Sequence, residues 1–256
     1  MRVIGVIPAR MASTRFPNKP MKKIYNIPMI GHCYFRSKMC KDLDEVYVAT
    51  CDKIIYDYIE SIGGNAIMTS DKHERASDRT AEALIKIENK SKQKVDIVVM
   101  LQGDEPMITP KMITDSIEPL IKSNDIFISN LYAKINSIDE FNDPDEVKVV
   151  IDKNNYAIYF SREPIPSVKK GFTKVPMYKQ VCIIPFKRDF LIDYNEMKQT
   201  PLEIIESVDM LRIIENGLKI KMVYTNQKSF SVDNLNDLKK VVHHMKNDNL
   251  IEGYLN

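Results

Sequence analysis

Apolar runs of strand length recur at 3–7, 46–50, 95–101, 126–132, 147–151, 156–160, 181–185 and 220–224. Runs so uniformly apolar predict strands covered on both faces, because alternate side chains of a strand point to opposite sides. Between them, apolar residues return every three or four positions at 29–38, 53–61, 78–89, 110–122, 201–216 and 235–247, which predicts helices with one buried stripe. Pro110 and Pro201 each follow a threonine, which sets an N-cap hydroxyl before a proline at the first helical position. Gly217 stands where the second of these helices should stop.

Strand and helix alternate through the first half, which predicts an α/β fold around a mostly parallel central sheet flanked by helices. After Asp143 the pattern changes. Two strand-like runs flank Asp152-Lys153-Asn154-Asn155, which is hairpin turn chemistry. A small antiparallel lobe over about 143–190 is expected, attached without a linker to a single domain of residues 1–256.

Composition removes several function classes. The 256 residues carry 37 basic and 35 acidic side chains, a net charge of +2, so no charge excess argues for nucleic acid or an acidic membrane surface. Cys33, Cys40, Cys51 and Cys182 show neither C-x-x-C spacing nor histidines at zinc spacing, and read as reduced, mostly buried thiols. No apolar run resembles a signal segment or reaches bilayer length, and a cytoplasmic protein is expected. Among only eight glycines there is no G-x-G-x-x-G and no G-x-x-x-x-G-K-[ST], so a bound nucleotide must be held by other means.

Three segments carry candidate chemistry. The first follows the opening strand: Pro8, Ala9, Arg10, Ser13, Thr14, Arg15 and Lys19 lie in a loop stiffened by Pro8, Pro17 and Pro20. Two arginines, a lysine and two hydroxyls suit a polyphosphate, and the prolines lower the ordering cost of binding one; the plainer alternative is a solvated basic loop. The second is Gln102-Gly103-Asp104-Glu105-Pro106, closing the inner run 95–101. A carboxylate at the carboxyl end of a central strand lies where open α/β sheets bind ligands, and suits Mg²⁺; otherwise Asp104 caps its own turn. The third is Ser231-Val232-Asp233-Asn234 before the last helix, where Asp233 is by default an N-cap or first-turn acid. It becomes a metal ligand only if the fold brings it beside Asp104.

Taken together and in order, P-A-R-x-x-S-T-R-x-P-x-K-P, Q-G-D-E-P and V-D before a final helix resemble the cytidylyltransferases that make CMP-linked sugar acids, the 3-deoxy-manno-octulosonate (Kdo) cytidylyltransferase family. Further matches are Pro28-Met29-Ile30, Val48-Ala49-Thr50, Val147-Lys148-Val149-Val150, Tyr159-Phe160-Ser161-Arg162, Ile165-Pro166, Pro201-Leu202-Glu203 and Leu211-Arg212, so the likeness spans nearly the whole chain. It implies a Rossmann-like nucleotidyltransferase fold, a homodimer, and transfer of CMP from CTP to a sugar acid with release of pyrophosphate, for cell-surface polysaccharide synthesis. Carried over residue by residue, Lys19, Asp104 and Asp233 are catalytic, and Asp104 and Asp233 carry Mg²⁺. Pro8, Ala9, Arg10, Ser13, Arg15, Lys19, Ser77, Arg79 and Gln102 hold the nucleotide. Arg162, Gln180 and Asp209 face the acceptor.

Asn18 replaces a family glycine, and asparagine also tolerates a left-handed backbone. In His73-Glu74-Arg75-Ala76-Ser77-Asp78-Arg79, Arg75 and Ala76 stand for a Ser-Gly pair. Gln180-Val181-Cys182-Ile183-Ile184-Pro185-Phe186 replaces His-x-Gly-x-Tyr-x-Tyr, Asp209-Met210 replaces Glu-Gln, and Ser167 replaces a Trp. These departures open an alternative: a CTP-dependent enzyme for a phosphorylated or non-sugar acceptor, giving a CDP-linked product. A catalytically silent nucleotide-binding relative is a third reading, disfavoured by retention of Arg10, Lys19, Asp104 and Asp233.

Overall fold

In the computed structural model, which describes residues 1–12, 16–169 and 175–255, the first apolar run forms strand β1 (Val3–Ala9), buried along its whole length. The chain divides into two compact units, residues 1–114 with 228–256, and residues 115–227.

In the first unit a 3-10 turn (Lys19–Met21) and the two-stranded β2 (Lys23–Ile24) and β3 (Ile27–Pro28) lead into α1 (Met29–Lys38). There follow β4 (Glu45–Thr50), α2 (Lys53–Ser61), β5 (Asn65–Met68), α3 (Ala76–Ser91), β6 (Ile97–Leu101) and α4 (Pro110–Lys122), within which the chain passes to the second unit. The strands of this unit lie in the order β6-β1-β4-β5 and pair in parallel, with Ile4 opposite Glu45 and Val3 opposite Ile97. Parallel pairing needs crossovers, and the amphipathic α1, α2 and α3 supply them. Thr109 Oγ1 accepts from the Met112 N–H at 3.3 Å, the cap expected before Pro110.

The second unit holds β7 (Ser129–Lys134), α5 (Ile138–Asn142), β8 (Lys148–Ile151), β9 (Ala157–Ser161), β10 (Tyr178–Val181), β11 (Ile183–Lys187), α6 (Arg188–Glu196), α7 (Pro201–Glu206), α8 (Met210–Glu215) and β12 (Lys221–Tyr224). Its sheet runs β12-β7-β10-β8-β9, antiparallel throughout except for the parallel β12–β7 pair. The hairpin at 152–155 forms as expected: Asp152 Oδ1 accepts from the N–H groups of Asn154 and Tyr156 at 2.8 and 2.7 Å, and Asn155 takes φ 58. The last helix, α9 (Leu235–Met245), belongs to the first unit.

Two expected elements are corrected. The helix expected over 201–216 is broken into α7 and α8, because Ser207 turns left-handed at φ 53; Gly217, at φ 72, then ends α8. The run 181–185 is divided at Cys182 between β10 and β11. Strand β5 and helices α5 and α6 carry too little apolar periodicity to have been foreseen. No helix among the described residues is long and apolar enough to cross a membrane.

One core cluster matters for the site. Phe16, Ile24 and Met29 pack with Val232, Val241, Met245 and Ile251, so the segment before α9 is fixed against the loop that follows β1. Below it, Arg36 Nε donates to Tyr254 Oη at 2.9 Å, Tyr254 Oη lies 2.9 Å from His32 Nδ1, and His32 Nε2 donates to the Ile24 carbonyl at 2.8 Å. Burial, aided by the Arg36 charge, pushes the fully enclosed His32 imidazole down to about 4 against the pull of the Ile24 carbonyl. The unfolded chain therefore binds the extra proton at a higher pH than the native one. Stability is expected to fall by about 3 kcal/mol as pH drops from about 6.5 to about 4. Urea midpoints across that range check it: the His32→Gln variant should lack this component of the acid limb.

Candidate active site

The register of β1 between β4 and β6 brings the ends of these strands to one edge, so the loops after Ala9 and after Leu101 emerge side by side. A Cβ on Gly103 would come within 3.1 Å of the Pro8 carbonyl, and glycine allows that approach. Asp104 follows on the same turn. Its carbonyl accepts from the Val232 N–H at 3.0 Å, and Ser229 Oγ donates to Glu105 Oε2 at 2.8 Å, which draws the segment before α9 to this edge.

Asn234, not Asp233, caps α9: its Oδ1 accepts from the N–H groups of Asn236 and Asp237 at 2.8 and 3.1 Å. The Asp233 carboxylate is thereby left to face Lys19. Lys19 opens its 3-10 turn after Asn18, which holds the left-handed conformation (φ 59, ψ 27) that asparagine tolerates. Lys19 Nζ donates to Asp104 Oδ2 at 2.6 Å and to Asp233 Oδ1 at 3.1 Å. Burial pushes this ammonium down, but the charges of Asp104 and Asp233 and its hydrogen bonds to them outweigh that, and the net shift is upward. Lys19 stays a cation at neutral pH.

Above this cluster lies a cleft of about 360 Å³, within the range of small-molecule sites. Pro8, Ala9, Arg10, Lys19, Gln102 and Asp104 line one side; His73, Glu74, Arg75, Ala76 and Arg79, at the start of α3, line the other. The structure thus brings together most of the expected nucleotide residues. Ser77 is buried in the first turn of α3. Ser13 and Arg15 lie outside the described residues.

Asp104 and Asp233 suit a magnesium ion. Their oxygens already converge on one cation, the Lys19 ammonium, and Mg²⁺ takes few carboxylates beside water and phosphate. Among the described residues no group of three or more histidine, cysteine or acidic side chains forms an all-protein cage.

The residues expected at the acceptor all lie in the second unit. Arg162 donates from Nε to the Glu206 carbonyl and from Nη1 to the Pro144 carbonyl, both at 2.8 Å, so its fork is engaged with backbone. Gln180 Nε2 donates to Asn130 Oδ1 at 2.6 Å. Asp209 stands before α8, and its carbonyl accepts from Tyr194 Oη at 3.0 Å. His73, which lines the cleft, and its partner Glu82 were not expected from the sequence as site residues. His73 sits in a recognisable stretch, whereas Glu82 is nine positions on and gives no sequence signal.

Residues 4–247 match a protein-family model described as Cytidylyltransferase. The chain is 46% identical over 246 residues to a 3-deoxy-manno-octulosonate cytidylyltransferase of Thermodesulfovibrio yellowstonii, covering 93% of this chain and 96% of that one. It is 41% identical over 250 residues to the protein of the same name from Fusobacterium nucleatum, covering 98% and 99%. Among solved structures it is similar to a CMP:2-keto-3-deoxy-manno-octonic acid synthetase complexed with CTP, with a TM-score of 0.87 at 34% identity over 96% of this chain and 99% of the other.

Proposed function

The chain belongs to the cytidylyltransferase family, and from that premise we propose that it transfers CMP from CTP to 3-deoxy-manno-octulosonate, releasing pyrophosphate. The observation that carries this reading is the convergence of Lys19, Asp104 and Asp233 at the floor of the cleft. Relatives bearing that name at 41% and 46% identity favour this acceptor over a phosphorylated or non-sugar one.

Nucleotidyl transfer asks little covalent chemistry of a protein; it needs neutralised charge and an in-line approach. Arg10 and Lys19 would bind the triphosphate, and Pro8, Ala9 and Gln102 would shape the floor beneath it. A magnesium ion held by Asp104 and Asp233 would neutralise charge that develops on the phosphates. Lys19, displaced from those carboxylates, would remain charged to meet the phosphates. A hydroxyl of the acceptor attacks the α-phosphorus and gives up its proton to water, the bond to the bridging oxygen breaks, and pyrophosphate departs with the electron pair. On the acceptor side, Arg162, Gln180 and Asp209 would act through the backbone and amides they hold in place.

Pyrophosphate release from CTP, magnesium and 3-deoxy-manno-octulosonate tests the reading, with a phosphate monoester as the competing acceptor. Release with the sugar acid alone is expected; no release above background with it would sink the proposal. A cytoplasmic homodimer completes the reading. In the second unit, edge strand β9 exposes Ile158 and α7 exposes Ile204 and Ile205, and light scattering should return twice the chain mass.

A further inference from the structure

Strands β1 and β4 stay in register to their last residues, with Pro8 opposite Ala49 and Ala9 opposite Thr50. The chain therefore leaves both strands at one place, through Arg10-Met11-Ala12 from the first and Cys51-Asp52 from the second. Arg10 and Ala12 line the cleft, so Met11 between them sets how this stretch is presented. The Met11 N–H donates to Asp52 Oδ2 at 2.7 Å, a contact between residues 41 positions apart.

Asp52 is diverted from a local task to make this contact. It stands at the N-cap of α2, where an aspartate ordinarily accepts from the N–H groups of the first turn. Its carbonyl does start the helix, accepting from the Ile55 and Tyr56 N–H groups at 3.1 Å each, but its side chain makes no capping hydrogen bond. The Asp52 backbone is extended (φ −104, ψ 119), and its N–H donates to Oγ1 of the fully buried Thr50 at 3.1 Å. A fixed turn thus aims the carboxylate at the loop after β1. A negative charge beside a loop that must hold phosphates is electrostatically unfavourable. What the carboxylate supplies there is a strong acceptor for a backbone N–H.

We propose that Asp52 is a positioning residue for the nucleotide: by holding the Met11 N–H, it keeps the loop after β1 in the shape that presents Arg10 to the triphosphate. This rests on the reading of the cleft as a CTP site. A loop already held needs little further ordering when its ligand arrives. Released from its anchor, the loop binds only in the fraction of molecules that hold the right shape, and the apparent affinity falls by that fraction. A hydrogen bond to a carboxylate is strong enough for its loss to reduce the fraction about 10-fold. The loop belongs to the nucleotide side of the site, so the loss should fall on CTP and spare the sugar acid.

Substitutions in the whole chain separate positioning from plain support of α2. Asp52→Ser still caps a helix well, but its side chain is one bond shorter and falls short of Met11. Asp52→Asn keeps an oxygen acceptor of the same reach and removes the charge. Each variant is compared with the wild type by pyrophosphate release against CTP and against 3-deoxy-manno-octulosonate, by equilibrium binding of CTP, and by melting. In Asp52→Ser the KM and Kd for CTP should rise about 10-fold, with the KM for the sugar acid and the melting temperature close to wild type. Asp52→Asn should restore both CTP constants to within about threefold of wild type. Should Asp52→Ser not fold, Asp52→Gly, also tolerated at an N-cap and without an acceptor, carries the same expectation. Wild-type CTP constants in the folded variants overturn the role of Asp52. Lower melting with equal rises in both KM values also overturns it, because Asp52 then serves α2 alone. A loss in Asp52→Asn as large as in Asp52→Ser overturns the hydrogen bond as its cause. Wild-type protein that neither binds CTP nor releases pyrophosphate from it overturns the CTP reading and this inference with it.

Discussion

Asp104→Asn is expected to lower kcat by about 1000-fold while leaving the protein folded, a loss of about 4 kcal/mol of transition-state stabilisation. Asparagine keeps the shape of the side chain and removes its charge. The carboxylate is a natural holder for a cation beside the phosphates, so the charge, not the shape, is what the reaction would miss. The folded state should be nearly indifferent. Lys19 retains Asp233 at 3.1 Å, and Asp104 is 28% exposed, so the lost ion pair is partly screened and the change in unfolding free energy should stay within about 1 kcal/mol. Lys19→Met supplies the contrast. It leaves Asp104 and Asp233 facing each other without a cation, so the metal-free variant should melt below the wild type and regain stability on adding magnesium. Steady-state pyrophosphate release and melting curves with and without magnesium check both variants. Wild-type turnover in Asp104→Asn would remove the carboxylate from the chemistry.

The residues of this cluster lie far apart along the chain, and the sequence disclosed them unequally. Asp104 was legible because a run as apolar as 95–101 had to be an inner strand, and acids at the end of such a strand fall at the binding edge. The bend after β1 was legible too, with Asn18 left-handed as its side chain permits. Asp233 was ambiguous for a physical reason: any acid before a helix can cap it. Only the structure shows Asn234 taking the cap and the Val232 N–H meeting the Asp104 carbonyl. Parallel pairing of β1, β4 and β6 was expected from alternation, whereas β5 is short and half-exposed and left no trace. The break at Ser207 was invisible because serine is not a residue that announces a left-handed turn. Arg162 shows the opposite limit: its chemistry suited a carboxylate ligand, but its guanidinium is engaged by the carbonyls of Pro144 and Glu206.

That break makes possible a buried ion pair in the second unit, and Arg212→Met is expected to destabilise that unit by about 3–5 kcal/mol. Ser207 folds α8 back beside α7, so that Arg212 Nε and Nη2 meet Glu203 Oε2 and Oε1 at 2.7 and 2.6 Å, a bidentate pair. The two side chains are 3% and 0% exposed. Hydrogen bonding to Glu203 outweighs burial and pushes the Arg212 guanidinium up, so the charge is permanent. The guanidinium also lies 4.7 Å from the centre of the Tyr194 ring. Removing one partner leaves the other charge buried and unpaired, which costs far more than the pair contributes. Arg212→Met with Glu203→Leu should therefore recover most of the loss, and urea unfolding of the double-mutant cycle measures it. The effect should reach β9. Glu206, on α7, accepts from Ser161 Oγ and from the Arg162 N–H, both at 2.8 Å, so loosening α7 against α8 frees the backbone that Arg162 anchors. At temperatures where Arg212→Met is still folded, the KM for the sugar acid should rise several-fold more than the KM for CTP. Equal rises in both would show that α7 and α8 serve stability alone; a single-variant cost below about 1 kcal/mol would show that the pair is solvated despite its burial.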